Sequence, residues 1–222
     1  VKNLSVDWDI PFLFEGKVMA VSQKEGWRDI LPETNGHSWK LQNGRIEFPN
    51  IDGFSYSSIG STLAFDSIDK KVSYGAWDIS SNPRFVEKRP GGILRFYEPL
   101  KKMPEVRTIL NSKGDREHDR YAPAFEFKQC KNIRLEGVIV HHALGMGFLF
   151  DRSENITLEK CGVYLSEGSN RFVSSTADAT HFCNCKGDIL VENCKFENML
   201  DDGTNVHGTY VEINKVIDDY TL

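Results

Sequence analysis

Three stretches in the second half of the chain repeat one pattern. Asn132-Ile133-x-Leu135-x-x-Val138-x-Val140 returns as Asn155-Ile156-x-Leu158-x-x-Cys161-x-Val163, and again as Asp188-Ile189-x-Val191-x-x-Cys194-x-Phe196. Asn3-Leu4-x-Val6 reads as a fourth copy of the opening. The three full units begin 23 and then 33 residues apart (155 − 132 and 188 − 155). Apolar side chains alternate within each unit, so each is a strand with one face turned inward. Units this short cannot bury that face alone and are stable only when stacked. A coil of about 23 residues suits a parallel β-helix, and the Leu/Asn consensus of leucine-rich repeats is absent. The stack places Cys161 beneath Val138 and above Cys194, so these thiols read as core.

The same register places carboxylates. Counting from the unit starts puts Gly145, Asp178 and Asp201 in one vertical column, with coils roughly 4.8 Å apart. Asp202 adjoins Asp201 and is expected to point elsewhere if the backbone is extended. Asp-Asp-Gly alone would be an ordinary turn signal; coincidence with Asp178 in an adjacent coil favours a shared cleft. Stacked like charges repel, so one acid is expected to have a raised pKa, as an acid/base pair requires. Paired carboxyls in a cleft are the minimum equipment for hydrolysing a glycosidic bond. The ten extra residues of the middle coil, around Glu167-Gly168-Ser169-Asn170-Arg171, are expected to wall the site.

The domains expected are a coil over 1–11, an inserted antiparallel β domain over 12–110, and the coils carrying the site over 111–222. In the insert, short alternating runs such as Gly16-Lys17-Val18-Met19-Ala20-Val21 and Gly44-Arg45-Ile46-Glu47-Phe48 are separated by Asn35-Gly36, Asn43-Gly44, Asp52-Gly53 and Arg89-Pro90-Gly91-Gly92. This predicts a small antiparallel, barrel-like unit, with Trp27, Trp39 and Trp77 packing its core. The charged run Asp115-Arg116-Glu117-His118-Asp119-Arg120-Tyr121 then approaches the flank of the acids, since Ala122 falls in their column. Arg116, His118 and Arg120 are candidate sugar-binding residues there, because guanidinium and imidazole groups hold hydroxyls at fixed angles. His142, beside Gly145, and His181, Asn205 and His207, near the aspartates, join them.

The composition limits the alternatives. With 40% hydrophobic and 27% charged residues the chain is not disordered. A net charge of −5 argues against nucleic acid or an anionic membrane as partner. No apolar run is long enough for a membrane span, so none is expected. The five cysteines lack a disulfide framework, and Cys183-x-Cys185 beside His181 does not match common zinc spacings, so no metal is expected. Opening on Val1-Lys2-Asn3, the chain is expected to be an internal piece of a longer protein.

Four segments also resemble glycoside hydrolase family 110. They are Gly114-Asp115-Arg116-Glu117-His118-Asp119-Arg120-Tyr121, His141-His142-Ala143-Leu144-Gly145-Met146-Gly147, Ser175-Thr176-Ala177-Asp178-Ala179-Thr180-His181 and Leu200-Asp201-Asp202-Gly203-Thr204-Asn205-Val206-His207-Gly208. Gly75-Ala76-Trp77-Asp78-Ile79-Ser80-Ser81-Asn82-Pro83-Arg84 extends the likeness into the insert. The resemblance implies an all-β fold, a right-handed parallel β-helix with an inserted antiparallel β domain. It implies an exo-acting, inverting bacterial α-1,3-galactosidase acting on blood-group B or linear α-galactose ends. It implies Asp201 as general acid, Asp178 and Asp202 sharing the base role, no cofactor, and a periplasmic or secreted location. The expected partner is a glycan with terminal α-galactose. Asp-Asp-Gly followed by His-Gly is also similar to polygalacturonases. Here, however, Thr176-Ala177-Asp178 stands where that family has Asn-Thr-Asp, and its Arg-Ile-Lys is not found. A polygalacturonase-like hydrolase is the alternative, and a non-catalytic carbohydrate-binding β-helix the next.

Overall fold

A computed structural model describes residues 1–8, 14–33, 39–48, 50, 53–115, 119–210, 212–218 and 220. The described part is all-β; its one helical turn is the 3-10 segment Pro90–Gly92. No described helix is long and apolar enough to cross a membrane.

The repeat forms two stacks of parallel strands. In one, Lys131–His142 pairs with Lys2–Asp7 on one side, and with Glu154–Glu159 and Gly162–Val163 on the other. Lys186–Glu192 and Lys195–Phe196 pair beyond those. In the other stack the order is Phe125–Lys128, Phe148–Asp151, Thr180–Cys183 and Thr204–His207. Ile133, Ile156 and Ile189 stand level, as the repeat predicts. Inward side chains of both stacks meet in one core of Leu135, Val138, Val140, Ile156, Leu158, Cys161 and Val163 against Phe148, Phe150 and Phe182. Phe127, Phe150 and Phe182 stack in near-parallel steps of 5.1 and 4.9 Å, so one residue type recurs at one height in successive coils.

Sharp bends along a coil need left-handed backbone, which costs most side chains energy and suits Gly and Asn. Columns of such residues mark them: Gln129, Arg152 and Asn184 at one corner, Gly137, Lys160 and Asn193 at another. Asn132, Asn155 and Gly187 form a third, in which Asn155 donates to Asn132 Oδ1 at 3.2 Å. A Cβ on Gly187 would lie 2.2 Å from Asn155 Oδ1, so glycine is required there.

Two expectations about register are corrected. Leu4 pairs with Val138 and Val6 with Val140, so Asn3-Leu4-x-Val6 copies the second half of a unit and not its opening. Both corners use left-handed residues, and a short Asn-apolar-x-apolar string fits either. Between Glu154/Lys186 and Ile156/Ile189 the outer strand carries one extra residue, a bulge. The opposite stack lacks it: Ala143 pairs with Ser175 and Phe148 with Thr180, each 32 residues apart (175 − 143 and 180 − 148). Asp178 is therefore level with Met146, not Gly145.

The insert contains a curled, half-barrel antiparallel sheet. Its strand order is Ile79–Ser81, Gly60–Phe65, Ile109–Gly114, Glu15–Ser22, Trp27–Pro32, Leu94–Tyr97 and Phe85–Lys88. Phe14, Val18, Ile30, Leu94 and Phe96 fill it, with Trp39 and Trp77 packed against them. Trp27 lies under the Arg95 guanidinium at 3.7 Å. Buried Arg28 is ion-paired to Glu98 at 2.8 Å and donates to Ser81 Oγ at 2.7 Å. The last strand of this sheet runs on to Gly114, four residues past the expected boundary, and delivers Lys113 to the coils.

The extra residues of the middle coil clamp the two halves together. Lys70 donates to Ser169 O at 2.6 Å, Phe172 packs on Phe65, and Arg171 pairs with Asp7 and donates to Trp8 O at 2.7 Å. They dock on the half-barrel and the first coil, and do not line the cleft described below.

Candidate active site

Asp178 and Asp201-Asp202 precede the strands Thr180–Cys183 and Thr204–His207, at the same edge of the same stack. Ser175 pairs with Met199 and Thr180 with Thr204, so Asp178 is level with Asp202, and Asp201 with Ala177 and Gly145. Backbone bonds hold this edge: Gly147 N donates to Asp178 O at 2.9 Å, Ala177 N to Gly145 O at 3.1 Å, and Ala179 N to Asp202 O at 2.9 Å. Gly145 is needed because a Cβ there would meet Ala122 O at 2.3 Å. Ala122, Gly145, Ala177 and Asp201 thus form one column, and Asp178 lies one residue outside it.

The three carboxylates nevertheless converge. One oxygen from each of Asp178, Asp201 and Asp202 lies within 4.8 Å of the others. Asp178 is buried, and its Oδ2 accepts a hydrogen bond from His181 Nδ1. Its Oδ1 accepts from Asp202 N at 3.3 Å, while Asn205 Nδ2 donates to Asp202 Oδ2 at 3.3 Å. His207 Nε2 meets His181 Nε2 at 2.8 Å. Arg120 approaches Asp201 Oδ2 at 3.3 Å. Burial pushes the Asp201 carboxyl above the ordinary range, and Asp178 and Asp202 push the same way against Lys113 and Arg120. Burial thereby favours the protonated form of Asp201.

The cleft at Asp201 is lined by Ser61, Asp78, Lys113, Gly114, Arg120 and Thr176. One wall is the half-barrel, the other the coil stack. A larger cavity, about 420 Å³, lies between Arg45, Ser57, Ser81, Asn82 and Arg84, but no acid lines it.

The protein-family description "GLAA-B beta-barrel domain I" matches residues 14–110. An alpha-1,3-galactosidase B from Phocaeicola vulgatus is 44% identical over 227 residues, and an alpha-1,3-galactosidase A from Shewanella woodyi 39% over 225. An alpha-1,3-galactosidase B from Parabacteroides distasonis is 31% identical over 240 residues. Each match covers all of this chain. Over its whole length the chain is similar to alpha-1,3-galactosidases A and B. It spans 36% of the length of each of these relatives.

The residues expected to bind sugar separate in the structure. Arg120 lines the cleft; His181, Asn205 and His207 gather behind the carboxylates. His142 is corrected: it is 2% exposed in the stack, with Nδ1 3.0 Å from Val173 O, and cannot reach a sugar. Arg116 and His118 lie outside the described residues. The charged run has a structural member too. Fully buried Asp119 accepts from Ser57 N at 2.7 Å, Ser57 Oγ at 3.0 Å and Asp115 N at 2.5 Å, tying the half-barrel to the coils. Cys185 Sγ lies 3.4 Å from Phe150 O, whereas Cys183 Sγ accepts from Asn184 Nδ2, so the two thiols turn to different partners.

Four lining residues escaped the sequence reading: Ser61, Asp78, Lys113 and Thr176. Lys113 pairs with Asp78 at 2.9 Å across the cleft mouth. Thr176 Oγ1 is buried and has no partner among the described residues.

Proposed function

We propose that this chain carries the catalytic centre of an exo-acting, inverting α-1,3-galactosidase. The observation that carries the reading is the convergence of three carboxylates within 4.8 Å at a cleft, with burial raising the pKa of one. Asp201 is the general acid, protonating the departing glycosidic oxygen. Asp178 and Asp202 take the base role and activate water from the opposite face of the sugar. Arg120 and Lys113 steady Asp201 and are in place to hold hydroxyls of the terminal galactose. The names of the relatives support an α-1,3-linked galactose as substrate, and blood-group B or linear α-galactose ends as its natural setting. Such glycans are met outside the cytoplasm, which favours a periplasmic or secreted bacterial enzyme. The two parallel stacks and their columns of left-handed corners support a right-handed parallel β-helix as the frame, with the half-barrel inserted between its coils over roughly 12–110.

Inverting enzymes hold their carboxyl groups roughly 6.5–9.5 Å apart to admit a water. One oxygen of each carboxyl lies within 4.8 Å of the others, so inversion requires acid and base to move apart as the sugar enters. Replacing Asp201 with Asn tests the acid role. Loss of a general acid costs about 10²–10⁴-fold when the leaving group is a sugar. An aryl galactoside, whose leaving group needs no proton, should retain far more of its rate. Equal losses on both substrates would remove Asp201 from this role.

A further inference from the structure

We propose that His181 and His207 share one extra proton, and that the resulting cationic pair keeps Asp178 ionised as the base. This rests on the hydrolase reading above. Four contacts along one line carry it. Asp178 Oδ2 meets His181 Nδ1. His181 Nε2 meets His207 Nε2 at 2.8 Å, and His207 Nδ1 meets Gly208 O at 2.8 Å.

The protons can be counted. A carbonyl oxygen only accepts, so His207 Nδ1 carries a hydrogen. With Asp178 taken as the ionised base of the proposed hydrolase, its carboxylate only accepts, so His181 Nδ1 carries one as well. The contact between the two Nε2 atoms needs one hydrogen and has room for only one. Two imidazoles therefore hold three protons, where two neutral rings hold two. The pair bears one positive charge, whichever ring the central proton sits on. The ring planes are 85° apart with centroids at 4.8 Å, so the two Nε2 edges face each other and one N–H can point at the other nitrogen.

The surroundings agree with a cation. Asp178 and Asp202 lie on the turns before the two strands, and the Asp178 side chain is only 4% exposed. In register, Leu149 and Asn205 flank His181, with Glu126 one strand beyond; Cys183 flanks His207, with Asp151 one strand beyond. Asp151 is paired with Arg152 at 2.9 Å. Arg120 and Lys113 act on Asp201, on the other side of the trio. With Asp78, Asp178, Asp201 and Asp202 at −4 and Lys113, Arg120 and the histidine pair at +3, the cluster carries −1. Of the trio, Asp178 is the one bonded to the histidine pair. His181 and His207 are thus positioning residues for the base.

The test is long-range ¹H–¹⁵N NMR of the full-length protein labelled on histidine nitrogen, across pH 5 to 9, with His181→Asn to assign the rings. The proposal predicts three protonated ring nitrogens among four near neutral pH, and a single coupled step in which the third proton leaves. Two bare nitrogens near neutral pH, or two rings titrating independently, would overturn it. The kinetic partner is His181→Asn, whose amide still donates to Asp178 but carries no charge. It should move the acidic limb of the kcat/KM profile upward by about one pH unit, because a carboxylate without its cation binds a proton more readily. A lower rate with an unmoved limb would mean a merely structural histidine and would also overturn the proposal. The NMR signature does not depend on turnover. Three ring protons in a protein inactive on α-1,3-galactosides would sink the hydrolase reading and leave the pair standing.

Discussion

At the scale of single residues, environment decides what each carboxyl does. Asp178, Asp201 and Asp202 share one cluster, and burial raises the pKa of Asp201. Arg120 opposes that rise. Arg120→Met should let Asp201 keep its proton to higher pH, shifting the basic limb of the pH–rate profile upward; a downward shift would contradict the assignment. Glu15 is a similar case with no role in the cleft. Burial, helped by Glu33 and opposed by Lys70, pushes it up to about 7 from 4.5. A raised carboxyl costs nothing below the unfolded value, and the penalty grows as pH rises from about 4.5 to about 7. Above that it amounts to about 3 kcal/mol. Glu15→Gln should therefore raise Tm at pH 8 and leave it nearly unchanged at pH 4.5. Equal effects at both would refute a charged origin.

At the scale of elements, the coils are held by corners and ladders. Gly187 has φ of +72° and no room for a Cβ beside Asn155. Gly187→Ala should cost about 1–3 kcal/mol, read as a lower denaturant midpoint, while Gly168→Ala should cost less, because nothing crowds that glycine. Much of this was legible in the sequence, because the alternation at Ile133, Ile156 and Ile189 is a direct imprint of strands stacked level. The one-residue bulge at Gly187-Asp188 was not. It leaves the apolar pattern intact and changes only the count, which is why Asp178 was placed beside Gly145 and not Met146. His142 was misplaced for a related reason: a histidine next to a site in sequence can still face the core when the strand alternates.

At the scale of the whole molecule, the cleft exists only because two different β units meet. The aspartates come from the coils, while Ser61, Asp78 and Lys113 come from the half-barrel. Pattern in one segment does not reveal which surface of another it will face, so these residues were beyond the sequence reading. Asp119 is the bolt between the units, buried and accepting from Ser57 and Asp115. Asp119→Ala leaves those donors buried without a partner, a cost of about 3 kcal/mol or more. It should raise KM more than it lowers kcat and open the 54–58 segment to proteolysis. An unchanged KM would mean that the wall does not depend on this bolt.

The proposed chemistry is cleavage of an α-1,3-galactoside with inversion by the three aspartates. Proton NMR of the full-length protein acting on an α-1,3-linked galactosyl disaccharide, followed from the first minute, tests it most directly. β-Galactose should appear first, with the α-anomer following only by mutarotation. α-Galactose appearing first would contradict it and turn one of the three carboxylates from base into nucleophile.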